Sequence, residues 1–358
     1  GVVPSISLNN MHDANELISF IASMSGDGNL RVEENLGEGY VRLRVSEAER
    51  RQAKHDIQHV EDIVIEMLRN ARDAGADKVY LATTKEEGVR TLLFLDNGSG
   101  VPQDMQERIF DARVTSKLES MKMDRWGVHG RGMALFSIKQ NTDEARVVTS
   151  GVDLGSAFKV CVATDRLGER ADQSSWPQAV KDEDGRYVCA RGPHNIIRAA
   201  CEFALEELRC CDVYLGSPSE IAATLYAQAS SRLDTSRLLF IDDECELPVV
   251  DRLGLASDAE DFIRICSGLG LEMSERTAHR ILSGQIKPVR GVTARLLRER
   301  DSTSHAPAPV DLAKDRRGLR IAKDDMAQFS RAVERDFNDL AARYYLNLCG
   351  DPKIRVSR

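Results

Sequence analysis

The chain lacks any uncharged apolar run approaching the roughly 18 residues of a membrane helix, so no spanning segment is expected. Its start, GVVPSISLNN, has no basic stretch followed by an apolar one and does not read as a secretory leader. A cytoplasmic location is the expectation. No Cys-x-x-Cys pair and no Cys/His cluster at metal-ligand spacing occurs, although the chain has 8 cysteines. They read as reduced, buried thiols rather than a disulfide frame. No Gly-x-x-x-x-Gly-Lys-[Ser/Thr] loop is present, which excludes a Walker-type phosphate site. Internal repeats and low-complexity tracts are also missing. Excess positive charge is lacking: 49 Lys and Arg face 57 Asp and Glu, a net of −8. That excludes a global polycation for nucleic acid and leaves room for a local basic patch.

What is present is 358 residues, 42 % of them apolar and 30 % charged. This is enough chain for two or three domains with real cores. A helix-like run, NELISFIASM, leads through GDGN to the strand-like YVRLRV. From Ser46 to Gly75 the apolar positions Ile57, Val60, Val64, Met67, Leu68, Ala71 and Ala74 recur near the helical period, with Gly75 as a stop. Lys78–Thr83, Thr91–Leu95, ARVVTS and AFKVCVA read as strands. Strands without regular crossover helices predict an α+β fold with a mixed or antiparallel sheet.

Three clusters stand out. Glu66, Asn70 and Asp73, spaced four then three, fall within about 60° on one helix face. A solvated face explains them. So does a general base beside an oxygen ligand for Mg²⁺. Asp96-Asn97-Gly98-Ser99-Gly100 follows the strand-like TLLFL. A hairpin turn is one reading. The other is a strand-end Asp facing an exocyclic amine, with glycines allowing close approach. Gly127-Val128-His129-Gly130-Arg131-Gly132 precedes the apolar helix start MALFSI. Bare backbone N–H groups at a helix N-terminus suit phosphate.

Taken in order, these clusters resemble the boxes of the GHKL superfamily of gyrase, heat-shock chaperone, histidine kinase and MutL ATPases. EMLRNARDA (66–74) is similar to E-x-x-x-N-x-x-D-A, DNGSG (96–100) to D-x-G-x-G, and GVHGRG (127–132) to G-x-x-G-x-G. VTSKL (114–118), ALFSI (134–138) and GSAFKV (155–160) point to the MutL and type II topoisomerase branch. The last has Ser156 where the family carries Thr.

The resemblance implies a Bergerat-type ATP-binding sandwich over 51–165, a mixed sheet covered by helices. It implies an ATPase using ATP and Mg²⁺. Glu66 would activate water, Asn70 would hold Mg²⁺, and Asp96 would bond the adenine amine beside Ser156. Gly98 and Gly100 would give close approach, with Asp73 beside them. The backbone of Gly127, Val128, His129, Gly130, Arg131 and Gly132 would wrap the phosphates, with Lys117 in reach. Residues 103–131 would form a nucleotide-ordered lid and drive homodimerisation. An ATP-gated DNA-binding regulator with negligible turnover is the alternative. A histidine-kinase-type enzyme is the third reading, with His55 and His59 placed awkwardly for it on the helix of Glu66. No DQHA-type metal nuclease motif appears, so nicking is not expected.

The expected organisation is an N-terminal segment 1–50, the ATP-binding domain 51–165, and a transducer-like α/β region 166–250. A helix-turn-helix-like region 251–301 follows, then a linker and C-terminal helix 302–358. The resemblance implies a transducer lysine, for which Lys287 is a candidate. DFIRICSGLGLEMSERTAHRILSGQIKP (261–288) resembles the helix-turn-helix of phage-repressor-like proteins. Residues 274–300 hold seven Lys or Arg against two Glu. Arg276, Thr277, His279 and Arg280 would face a DNA groove. A plain αα-hairpin with a solvated basic face is the competing reading.

Overall fold

The computed structural model describes residues 32–116, 122–124, 127–129, 132–208, 210–233 and 243–297, with helical residues 328–329, 331–333 and 335–336. These belong to two compact units, 1–298 and 299–358. The NELISFIASM run, the linker at 302–309 and most of the expected C-terminal helix lie outside the described residues.

The first unit opens with a hairpin, β1 (Val32–Gly37) and β2 (Tyr40–Leu43), followed by α1 (Glu47–Asp56) and α2 (Val60–Asp73). One helix was expected across 46–75, and two form. The Asp62 carboxylate accepts the backbone N–H groups of Gln58 and His59 at 3.0 and 2.9 Å. Those donors are thereby captured outside the helical ladder, and a new helix starts. Ser46 and Glu49 form a reciprocal capping box on α1. Gly75, at φ 75°, ends α2 in the left-handed region.

Next come β3 (Lys78–Glu86) and β4 (Val89–Asp96), joined by the tight turn Glu87-Gly88 with both residues at positive φ. Beyond them lie β5 (Val114–Thr115), β6 (Lys122–Asp124), β7 (Gly127–His129), α3 (Ala134–Asn141), β8 (Glu144–Ser150) and β9 (Ser156–Ala163). A small hairpin, β10 (Gln178–Lys181) and β11 (Tyr187–Arg191), leads to α4 (Ile196–Glu206), β12 (Asp212–Gly216) and α5 (Pro218–Arg232). A 3₁₀ stretch (Val249–Leu255), α6 (Ala259–Gly268) and α7 (Glu275–Leu282) follow.

The central sheet has five strands in the order β12-β3-β4-β9-β8. It is mixed: β12 runs parallel to β3 and the other pairs are antiparallel. Alternate residues of each strand feed two cores. Val79, Leu81, Leu92 and Phe94 pack with Ile63, Leu68 and Phe203 from α2 and α4. Tyr80, Ala82, Leu93 and Leu95 pack with Leu225, Phe262, Ile265 and Ile281 from α5, α6 and α7. Burial on both faces explains why KVYLAT and TLLFL read as near-continuous apolar runs.

Two expected boundaries do not divide the described structure. Residues 32–50 supply β1, β2 and the start of α1. From the expected transducer-like stretch, β12 enters the central sheet and α4 packs on α2. The cause is the apolar second face and open edge of a four-strand core, which later segments cover. Among the described residues, no helix is long and apolar enough to cross a membrane.

Candidate functional site

A cleft of about 560 Å³ lies between α2 and the ends of β4 and β9. That size is ordinary for a small-molecule site, which spans roughly 300–1,000 Å³. Glu66, Asn70 and Asp73 line it from α2, Asp96 and Gly100 from the loop after β4, and Ser156 from β9. Gly132 borders it at the approach to α3. The polar stripe of α2 is therefore the wall of a cavity, not a solvated face.

DNGSG does not form a hairpin. Asp96 ends β4, and the chain then crosses the C-terminal end of α2. The Ser99 N–H donates to the Ala74 carbonyl at 2.8 Å. A Cβ on Gly98 would lie 2.8 Å from that same oxygen and 3.0 Å from the Ala74 Cβ. The alanine closing the first box and the first glycine of the second are thus in contact, and Gly98 has no room for a side chain. Gly100, at φ 70°, passes so close to the next turn that a Cβ would stand 1.8 Å from the Gly151 carbonyl oxygen.

Asp96 is 4 % exposed, and its Oδ1 accepts the Gly98 N–H at 2.8 Å. Ser156 is opposite Asp96 in the β4–β9 register. The Ser150 hydroxyl donates to the Gly155 carbonyl at 2.8 Å and lies 2.9 Å from the Ser156 hydroxyl. Since Ser150 has spent its one proton, Ser156 is the donor between them.

Glu66 Oε1 accepts from Arg69 Nη1 at 2.8 Å. Asp73 accepts from Arg72 Nε at 2.9 Å, and Arg72 Nη1 donates to Glu207 at 3.0 Å. Arg72 therefore ties α2 to the end of α4, and Asp73 holds its guanidinium. Among the described residues, five carboxylates (Glu49, Asp56, Glu66, Asp73 and Asp96) and two guanidiniums (Arg69 and Arg113) line the cleft. Among the described residues, no group of three or more His, Cys, Asp and Glu side chains could hold a metal by itself.

The third box departs from a simple loop. Gly127–His129 is strand β7, paired antiparallel with β6. Gly132 is at φ 68° just before α3, whose N-cap, Met133, makes no side-chain cap bond. Lys117, Gly130 and Arg131 lie outside the described residues. Lys287 is exposed and is not among the residues lining the cleft.

The site also uses residues that the motifs do not mark. Tyr40, Glu49, Gln52 and Asp56 line it from β2 and α1, and Arg113 and Thr115 from around β5. Burial pushes the Tyr40 hydroxyl above its ordinary pKa, with a Ser116 hydrogen bond opposing, so it stays a neutral donor at physiological pH. The VTSKL run hinted at Thr115, and nothing in the sequence singled out Arg113. No local signal marks Glu49.

On the opposite face of the sheet, α6 and α7 form a helix pair. Ala278 and Ile281 of α7 are buried, while Arg276, His279 and Arg280 are exposed. Thr277 is half-buried, and its hydroxyl lies 3.0 Å from the hydroxyl of Ser274, the α7 N-cap. Arg290 and Lys287, just beyond α7, are exposed as well.

The mixed sheet, the glycine-lined loop and the acidic helix are arranged as in the ATP-binding fold of the GHKL type. Residues 57–158 match the family model of histidine kinase-, DNA gyrase B- and HSP90-like ATPases. Within that family the similarity is to MutL. The DNA mismatch repair protein MutL of Brucella abortus (strain S19) is 34 % identical over 112 residues, 31 % of this chain and 18 % of that protein. MutL of Thermodesulfovibrio yellowstonii is 31 % identical over 107 residues, 29 % of this chain and 19 % of that protein. The chain spans less than a fifth of the length of these curated relatives. Full-length ShkA in complex with AMPPNP overlays at a TM-score of 0.24 and 14 % identity, covering 78 % of this chain and 64 % of that one.

Proposed function

We propose that the protein binds Mg²⁺·ATP in this cleft and hydrolyses it, and that the nucleotide state governs a DNA-binding face on α7. One observation carries the reading: Glu66 and Asn70 of α2 line the same cavity as Asp96 and Ser156 at the ends of two strands. Asp96 accepts a hydrogen bond from the adenine amine, and the Ser156 hydroxyl lies beside it. Gly100 and Gly98 let the loop lie flat against the base. The backbone at Gly132 and the start of α3 offer donors to the phosphates.

Glu66 takes a proton from water as its oxygen bonds to the γ-phosphorus. The bond to the β-phosphate oxygen breaks, and ADP and inorganic phosphate leave. The excess of carboxylates, together with the lack of a three-ligand cluster among the described residues, fits a metal held partly by the substrate. Asn70 would hold Mg²⁺, which would supply charge neutralisation to the phosphates. Residues 103–131 form the segment that closes on nucleotide. Homodimerisation then couples the cleft to α7, where Arg276, His279 and Arg280 are exposed, and the positive charge of the two arginines supports DNA as the client.

The test is Glu66→Gln. ATP binding is retained, while phosphate release falls by about 10²- to 10⁴-fold, the usual contribution of a general base. Unchanged release overturns hydrolysis through Glu66. Wild-type protein that binds ATP without releasing phosphate, with or without DNA, supports the regulator reading. Labelled phosphate appearing on protein supports a kinase.

A further inference from the structure

Arg113 is a cleft residue that the catalytic reading leaves unused. It is 4 % exposed, lines the cavity, and pairs through Nη2 with the Glu49 carboxylate of α1. Its backbone is at φ 63°, a region that residues with a Cβ rarely occupy and that tends to persist where structure over-determines it.

The over-determination is visible. The Arg113 N–H donates to the Gly132 carbonyl at 2.8 Å, and its own carbonyl accepts the Leu43 N–H at 3.0 Å. A Cβ on Gly132 would stand 2.8 Å from the Val114 carbonyl oxygen, so these two stretches of chain are pressed together. Arg113 is therefore locked to β2 on one side and to the last glycine of the third box on the other. Its side chain is held by a helix from outside the motifs.

We propose that Arg113 is a triphosphate-sensing residue, whose guanidinium exchanges Glu49 for the terminal phosphate of the nucleotide and so releases α1. This rests on the ATP reading above. Among the described residues, the cleft offers a polyanion two guanidiniums, Arg69 and Arg113. Arg69 is engaged with Glu66, and Arg113 is joined to the glycine expected to face the phosphates. A guanidinium fork matches phosphate oxygens as well as it matches a carboxylate, and a terminal phosphate carries more charge than Glu49. The Glu49 side chain is 34 % exposed, so water receives it once it is released. ADP lacks the terminal phosphate and leaves the pair intact. Gln52 and Asp56 of α1 also line the cleft, so the helix that responds is part of the site wall.

The experiment measures AMPPNP and ADP affinities by titration calorimetry, and amide hydrogen exchange over residues 47–56, in the full chain. In the wild type, AMPPNP speeds exchange in α1 and ADP does not. Arg113→Ala weakens AMPPNP by about 10- to 100-fold, as expected for losing a charge-assisted pair, and ADP by less than about twofold. Glu49→Gln shows fast α1 exchange without nucleotide. Arg113→Lys keeps the charge without the fork, and it covers the case in which Arg113→Ala does not fold. It should lose part of the AMPPNP preference. Equal loss of both nucleotides, or no loss of either, overturns the inference while leaving ATP binding intact. Wild-type protein that binds neither nucleotide overturns the ATP reading and this inference together.

Discussion

Gly100→Ala tests whether the second glycine box is held by contact or by backbone conformation alone. Gly100 and Gly88 both have positive φ, 70° and 81°. They differ in surroundings. A Cβ on Gly88 meets nothing within 4 Å, whereas one on Gly100 stands 1.8 Å from the Gly151 oxygen and 2.9 Å from its carbonyl carbon. Both alanines incur the left-handed penalty of roughly 1–2 kcal/mol. Only Gly100→Ala must also push away the turn between β8 and β9. That turn is held by Asp153 N–H to Ser99 at 2.7 Å and by Ser150 Oγ to Gly155 at 2.8 Å. Gly155 cannot yield, since its own Cβ position lies 2.1 Å from the Asp96 carbonyl oxygen. Losing two such bonds at about 1 kcal/mol each brings the total to ~3–4 kcal/mol, a large share of a typical 5–15 kcal/mol stability. Urea denaturation followed by circular dichroism reads the difference. Gly88→Ala should shift the midpoint modestly and Gly100→Ala by at least twice as much. Equal shifts would refute the steric argument.

Other outcomes follow from the same structure. Glu169 accepts from Arg90 at 2.6 Å and Lys85 at 3.0 Å. Partial burial raises its pKa, but the Arg90 and Lys85 hydrogen bonds outweigh that and hold its carboxyl below the usual range. A lowered folded pKa gives stability present above the unfolded value of about 4.3 and lost as pH falls through the folded one. Glu169→Gln should therefore cost about 1.5–3 kcal/mol near neutrality, with the gap to wild type closing in acid. A gap independent of pH would count against the pair. Cys210 is exposed, while burial pushes the thiols of Cys211 and Cys266 up to about 12. Iodoacetamide at mildly alkaline pH should label Cys210 first and reach Cys266 only on unfolding, as read by peptide mass. Comparable labelling rates would contradict the packing. Replacing Arg276 and Arg280 with alanine should weaken duplex DNA binding and lower the salt slope by about 2. An unchanged slope would remove α7 from the interface.

The sequence alone determined the local chemistry. The 4-then-3 spacing put Glu66, Asn70 and Asp73 on one helix face, and apolar runs marked the strands. Gly75 ended α2, and the order of the boxes identified the module. These features are legible because helix period, strand alternation and turn glycines depend on near neighbours. The tertiary structure decided what those signals meet. It set Ala74 against Gly98 and Ser156 opposite Asp96, broke the expected helix between Asp56 and Val60, and took residues 32–50 and β12 into the same unit as the motifs. Each outcome depends on which apolar face is left uncovered or which donor is captured across the fold. The Glu49–Arg113 pair joins positions far apart in the chain, and burial of both sheet faces by helices up to Leu282 is likewise non-local. Such contacts leave no periodic trace in the residues that make them.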